Sequence, residues 1–391
     1  MTLLGAVNLR SVLVSFLLLF LVGRSSGQKA LRLKYQDWVE DDDRIRVRSW
    51  YANAETPLGE NWSLDVLGMV DSISGATPNG MPPSANSALW LARIEEERRA
   101  GVVTLSGKRD EYDFSFEFGL SDEPDYLSRS YAVRAYRGLA EDTLTLHAGF
   151  SFTDDDVDSD VPGGPGLGWL SKRTPEFILG VYRILDAKSK IAINLSYGLP
   201  EGYLSDPYKQ VGRTTVLFAG EPEEREAFFL YPENRPDERE TFTVYLEGTR
   251  YFESLKGSVE ASYRYFADDL ELSGHTFEMQ WFQRIGEKIV LRPFYRHYLQ
   301  QAADFYLTSL DGTGISPVLQ PDGTGRFYSA DYRVSDLRTN TYGLKLAYFP
   351  RPDLSLDLSL DRYVMTGRDG LTSQEVYPDA EVLTVGIQWK F

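Results

Sequence analysis

Residues 353–361 read DLSLDLSLD, and residues 110–120 read DEYDFSFEFGL. In the first, Leu354, Leu356, Leu358 and Leu360 alternate with Asp353, Ser355, Asp357, Ser359 and Asp361. In the second, Tyr112, Phe114, Phe116, Phe118 and Leu120 alternate with Asp113, Ser115, Glu117 and Gly119. Side chains of a β-strand point to opposite faces in turn, so each segment reads as a strand with one apolar and one polar face. Their length is that of a tilted strand crossing a bilayer, about 9–11 residues. TLTLHAGFSF (143–152), IAINLSY (191–197) and TFTVYL (241–246) repeat the pattern.

Extended along the chain, the alternation predicts strands at 30–38, 44–53, 61–71, 98–106, 110–120, 128–137, 142–152, 173–184, 189–199, 240–251, 256–266, 273–284, 287–299, 337–349, 353–364 and 379–391. Tight turns such as GKRD, DAKS, IGEK and PRP alternate with longer connections, the longest at 73–97, 200–239 and 300–336. All long loops then fall at one end. The expected fold class is all-β: a transmembrane antiparallel up-and-down β-barrel of about sixteen strands, with long extracellular loops, short periplasmic turns and both termini periplasmic. The two faces are least distinct in 30–38, 98–106 and 173–184, which leaves fourteen and eighteen strands as alternatives. A soluble sandwich or propeller also alternates, but its strands average about 5–6 residues, roughly half the length read here. SALWLARIEEERRA (87–100) reads as a short helical turn before strand 98–106.

Composition agrees with export. Arg10, the apolar run SVLVSFLLLFLV (11–22) and the small residues Ser25 and Gly27 form a signal peptide over 1–27, and residues 28–391 form a single barrel domain. The run is too short to span a bilayer as a helix. Losing Arg10 and Arg24 takes the net charge from −17 to −19, which argues against nucleic acid as a partner. There is no cysteine, so disulfides, thiolate metal sites and CxxCH haem attachment are excluded. Hydropathy alone suggests a soluble exported protein, yet aromatics make up 13% of the residues and recur within the alternating segments.

Parity assigns a charged lumen. Arg44, Arg46, Arg48, Arg134, Arg264, Arg292 and Arg296 face Asp113, Glu117, Glu247, Glu260, Glu278, Asp357 and Asp361. Such charges either tune the selectivity of an aqueous channel or pair across the lumen of a plugged one. In DDDVDSDVPGG, Asp154, Asp156, Asp158 and Asp160 set hard oxygen donors at every second position, a candidate Ca²⁺ site. It lacks the Gly and distal Glu of a twelve-residue calcium loop, and a solvated acidic loop is the competing reading. The histidines are His147, which parity turns inward, His275 at a strand start, and His297, which parity turns to lipid. None sits in a GxSxG, HExxH or comparable catalytic grouping, so no enzyme and no organic cofactor are expected.

The closing segment EVLTVGIQWKF (381–391) puts Leu383, Val385, Ile387, Trp389 and Phe391 on one face. It resembles the C-terminal sorting signal of bacterial outer-membrane proteins, with Trp389 and Phe391 as its aromatic elements. That resemblance implies the outer membrane of a Gram-negative-type bacterium, with lipid, lipopolysaccharide and the barrel-assembly machinery as partners. DDDRIRV (41–47), SISGATP (72–78), SDEPDYLSRSY (121–131), EGYLSDPYKQV (201–211), RPDERE (235–240) and AADFY (302–306) resemble blocks of a domain-of-unknown-function family of outer-membrane barrels. The resemblance implies location and architecture. Through the flavin transferase and thioredoxin-like genes near its members, it also implies an envelope redox partner. Two functions follow as expectations: a porin-like channel for small solutes or ions, or a plugged barrel that docks a periplasmic or redox partner.

Overall fold

The computed structural model describes residues 28–42, 44–78 and 91–391. The expected leader, Asp43 and residues 79–90 lie outside them. The chain forms β1 (Ala30–Glu40), β2 (Arg46–Leu58), β3 (Trp62–Pro78), β4 (Leu91–Arg109), β5 (Tyr112–Asp122), β6 (Tyr126–Leu139), β7 (Leu144–Asp158), β8 (Trp169–Asp186), β9 (Ser189–Gly198), β10 (Glu201–Gly202), β11 (Gln210–Leu217), β12 (Arg225–Pro232), β13 (Thr241–Phe252), β14 (Gly257–Asp268), β15 (Ser273–Ile285), β16 (Ile289–Gln301), β17 (Leu337–Arg351), β18 (Leu354–Gly367) and β19 (Asp379–Lys390).

Sixteen of these strands make the wall, each antiparallel to its neighbours. β9 pairs directly with β13, and the two-residue β10 hooks onto β8. β1 pairs with both β2 and β19, so the sheet closes on itself and leaves no edge. Backbone bonds run both ways between Lys29 and Phe391 at the seam, 2.8 and 2.9 Å. The tight turns gather at that end of the barrel and the long loops at the other.

Pairing across strands transmits the inside–outside parity around the wall. Leu33 lies opposite Ile387, Ile387 opposite Leu356, and Leu356 opposite Tyr348. Leu64, Leu105, Phe116, Val133, Phe150 and Phe177 make a similar outward row on the other side. These side chains have no protein layer over them, and Phe116 is 47% exposed. A belt of this kind is stable when lipid covers it. Trp62, Trp389 and Phe391 stand outward at the turn end and Trp50 toward the loop end, where aromatic girdles belong.

Of the helical turn expected within 87–100, residues 87–90 lie outside the described residues, and residues 91–100 are strand instead, continuing β4 in a ladder against β3 from Pro78↔Leu91 to Trp62↔Gly107. Glu95, Glu96, Glu97, Arg98 and Arg99 put charge on both faces of β4, so the two-residue apolar period disappears while the partner strand still supplies the backbone bonds. Gly75 in β3 has φ +127°, and an added Cβ would sit 1.9 Å from the Arg44 carbonyl oxygen, so only glycine fits there.

Candidate functional site

The inward face is wet and charged at mid-barrel. Arg134, Arg264 and Arg296 point into the lumen there and are solvent-exposed, and Asp113 points inward beside the β4–β5 turn, also exposed. Arg296 pairs with Glu278 across β15 and β16 at 3.2 Å, and Lys345 with Asp357 across β17 and β18 at 2.5 Å. Glu247 accepts from the Tyr245 hydroxyl at 2.8 Å, Glu260 from the Gln280 amide, and Asp361 from Ser359 at 3.2 Å. Arg292 and Glu117 complete the inward set. His147 is inward beside Tyr136, with ring centroids 5.3 Å apart. His275 and His297 are outward, bonded to Tyr263 and Asn340 at 2.8 and 2.9 Å.

Three expected lumen residues lie elsewhere. Arg46 and Arg48 face outward, Arg46 gripping Asp37 through two bonds of 2.9 and 2.5 Å. The inward set of β2 is instead Val47, Ser49, Tyr51, Asn53 and Glu55. Arg44 lies in the link before β2, where no ladder fixes its parity, and its guanidinium donates to the Val376 carbonyl at 3.0 Å. Carrying its parity into the strand therefore inverts the face. Asp154, Asp156 and Asp158 are spread along the outward side of β7, with same-face neighbours about 6–7 Å apart, rather than wrapped around a point. Arg129 contacts Asp154 and Asp156 at 3.7 and 3.1 Å, Arg173 contacts Asp154 at 3.5 Å, and Asp160 accepts from the Gly168 amide.

Toward the loop end the inward residues are buried: Asp71, Asp155, Thr276, Gln300, Leu337 and Thr339. What covers that end is a cap built from residues 199–240 and 302–336. The β11–β12 hairpin rises from the first loop. Its Val211 packs with Leu310, Tyr328 and Ala330 of the second loop in a small apolar core. Asn234 and Tyr328 exchange two backbone bonds of 3.0 and 2.9 Å. Beside them Arg235 lies between Glu233 at 2.7 Å and Asp331 at 2.8 Å, and Arg333 joins Asp331 to Asp206. Burial pushes the Glu233 carboxyl above its usual range; Asp331, equally buried, is held well below it by Arg333, Lys209 and Arg235.

The cap reaches the opposite rim through Tyr208 and Lys209. The Tyr208 hydroxyl lies 2.6 Å from Asp125 and 3.0 Å from Glu96, and the buried Lys209 ammonium donates to the Pro78 carbonyl at 2.6 Å. Glu96, Glu123 and Asp125 bring carboxylate oxygens within 4.8 Å of one another. Burial raises the Glu96 and Glu123 carboxyls, and the charge of Asp125 adds to it. A cleft of about 520 Å³ lies between this rim and the cap, lined also by Lys172, Tyr203 and Asp206.

Parity finds wall residues but none of these cap residues. A signal exists for Glu123, Asp125, Asp206, Tyr208, Lys209, Val211 and Arg235, which lie in the segments 121–131, 201–211 and 235–240 at the loop end, whereas Glu233, Tyr328 and Asp331 lie in no such segment.

No curated protein matches the chain. Among solved structures, it is similar to a mutant of the ferric enterobactin receptor PfeA from Pseudomonas aeruginosa, with 11% identity, coverage of 87% of this chain and 54% of that one, and a TM-score of 0.42. This chain thus spans about half of that receptor. It is similar to a bacterial polysaccharide outer membrane secretin, with 8% identity, coverage of 93% and 98%, and a TM-score of 0.49. OmpT of Vibrio cholerae gives 8% identity, coverage of 93% and 99%, and a TM-score of 0.45. Residues 19–90 and 170–391 match the family described as "Protein of unknown function (DUF3570)", to which this chain therefore belongs.

Proposed function

We propose that the protein is an outer-membrane channel for small polar solutes or ions, with its loop end outside and both described chain ends in the periplasm. The observation that carries this reading is the lumen: Arg134, Arg264, Arg296 and Asp113 stand solvent-exposed inside a barrel whose outer wall is apolar. Charges in such a position act on a passing solute through water and bias which sign passes. The aromatic Trp389 and Phe391, outward at the seam, fit an assembly signal presented to the barrel-assembly machinery. Lipid and lipopolysaccharide are the natural cover of the belt.

The test is single-channel conductance of the refolded barrel in planar bilayers, native and with residues 302–336 replaced by a short turn. Steady current in the native chain supports the channel. One observation favours a second reading, a capped barrel that docks a periplasmic or redox partner: a folded unit with its own apolar core spans the mouth. A native chain that conducts only after the replacement supports that reading, and a replacement that also conducts nothing removes the channel.

A further inference from the structure

The two halves of the cap hold to each other differently from the way the cap holds to the barrel. Internally it is joined by the buried side chains of Val211, Leu310 and Tyr328, by the paired Asn234–Tyr328 backbone bonds and by the Glu233–Arg235–Asp331 ion network. Breaking these leaves charges buried and unpaired, so the two loops move together or not at all. Both loops spring from one side of the wall, the first between β9 and β13 and the second between β16 and β17, with β14 and β15 lying between the two roots. On that side the attachment is apolar, with Leu272 of the β14–β15 turn packed against Ala303, Phe305 and Val334, and it continues to the β18–β19 connection, where Tyr332 packs against the cluster of Leu337, Val376 and Tyr377. On the far side, over β3, β4 and the β5–β6 connection, it is polar, through Tyr208 and Lys209, and over β7 and β8 it is polar too, through the Tyr203 amide on the Ser171 carbonyl and the Gln210 amide on the Gly163 carbonyl. Water replaces polar contacts at small net cost, whereas it does not replace apolar ones. The space between cap and wall lies on this polar side.

We infer that the cap is a lid that swings as one body on its apolar root and is latched on the opposite rim by Tyr208 and Lys209. As a gate it rests on the channel reading above; as a motion it does not. A hydroxyl carries one proton, so Tyr208 donates to Asp125 or Glu96 but not to both at once. The Tyr208 half of the latch is therefore a single exchangeable bond to an anion, and the Lys209 half is one bond to the Pro78 carbonyl.

The chain has no cysteine, so labels go where they are placed. Asp122→Cys and Ala219→Cys carry nitroxides on the rim and on the tip of the hairpin, in nanodiscs. Two distance populations are expected, and Tyr208→Phe shifts them toward the longer by about tenfold, the loss of one hydrogen bond to a charged acceptor. In planar bilayers Tyr208→Phe and Lys209→Met raise the open-to-closed ratio and leave the open-state conductance unchanged. A single distance that neither substitution alters overturns the lid, even if the barrel conducts. Two populations in a barrel that passes no current leave the lid standing and remove the channel instead.

Discussion

Phe116 and Glu117 are adjacent in β5 and, on the parity of the wall, live in different solvents. Phe116 looks outward between Leu105 and Val133; Glu117 looks into the lumen between Thr104 and Ala132. At 47% exposure, Phe116 presents about 95 Å² of a ring of roughly 200 Å² to the bilayer, worth about 2.4 kcal/mol at 25 cal/mol per Å². Arginine near the bilayer midplane adds about 2–4 kcal/mol, so Phe116→Arg should cost roughly 4–6 kcal/mol of insertion free energy. Glu117→Arg exchanges one hydrated charge for another beside Arg134 and should stay within about 1 kcal/mol. Urea titration of folding into lipid vesicles, read by the heat-modifiable mobility of the folded barrel, measures both. Equal midpoint shifts for the two variants would refute the parity of β5, and with it the inside and outside of the whole wall, because every strand is tied to β5 through a register that is continuous across the belt and shifts only beside the β8–β9 and β17–β18 turns.

Arg235→Met should leave Glu233 and Asp331 buried without their shared cation, costing about 3–5 kcal/mol within the cap; limited proteolysis should then cut 302–336 far faster while the heat-modifiable barrel persists. The folded Asp331 carboxyl is held below its ordinary 3.8, so the stability it contributes is present above that pH and is lost as pH falls toward its folded value. Glu233, raised by burial, acts oppositely and weakens the cap as pH climbs above its ordinary 4.5. Hydrogen exchange of cap amides should therefore accelerate on acidification below about 3.8 in the native chain and lose that dependence in Asp331→Asn. Gly107→Ala would place its Cβ 2.5 Å from the Trp62 ring; displacing that ring should cost about 1–3 kcal/mol and change the tryptophan emission.

The wall was readable because its strands stand between two solvents. Lipid on one side and water on the other force the two-residue period that DLSLDLSLD shows, and the tight turns mark the ends. Where a strand leaves the bilayer the forcing ends, and the pattern goes with it: Arg46 and Arg48 fall outward beside Asp37, and residues 91–100 are strand while reading as helix. The cap was hidden for a different reason. Its core joins Val211 to Tyr328 across more than a hundred residues of chain, and its ion network joins Glu233 and Arg235 to Asp331; no local spacing announces either. Asp154, Asp156 and Asp158 show the converse error, in which a spacing suggestive of a wrapped ion belongs to an extended strand with arginine neighbours.

The seam between β1 and β19 governs how the molecule comes to exist. Most wall strands find a partner a few residues back along the chain, so hairpins can add one after another without long searches. β1 alone must wait for β19, across some 350 residues, from Ala30↔Lys390 to Glu40↔Ala380. Until then the growing sheet carries two bare rows of amides and carbonyls, the form of sheet most apt to pair with a stranger. Completion is therefore a single late zippering event along eleven residue pairs. A shortened β19 would leave a nearly finished molecule that cannot seal, prone to dimerise edge to edge or to be destroyed.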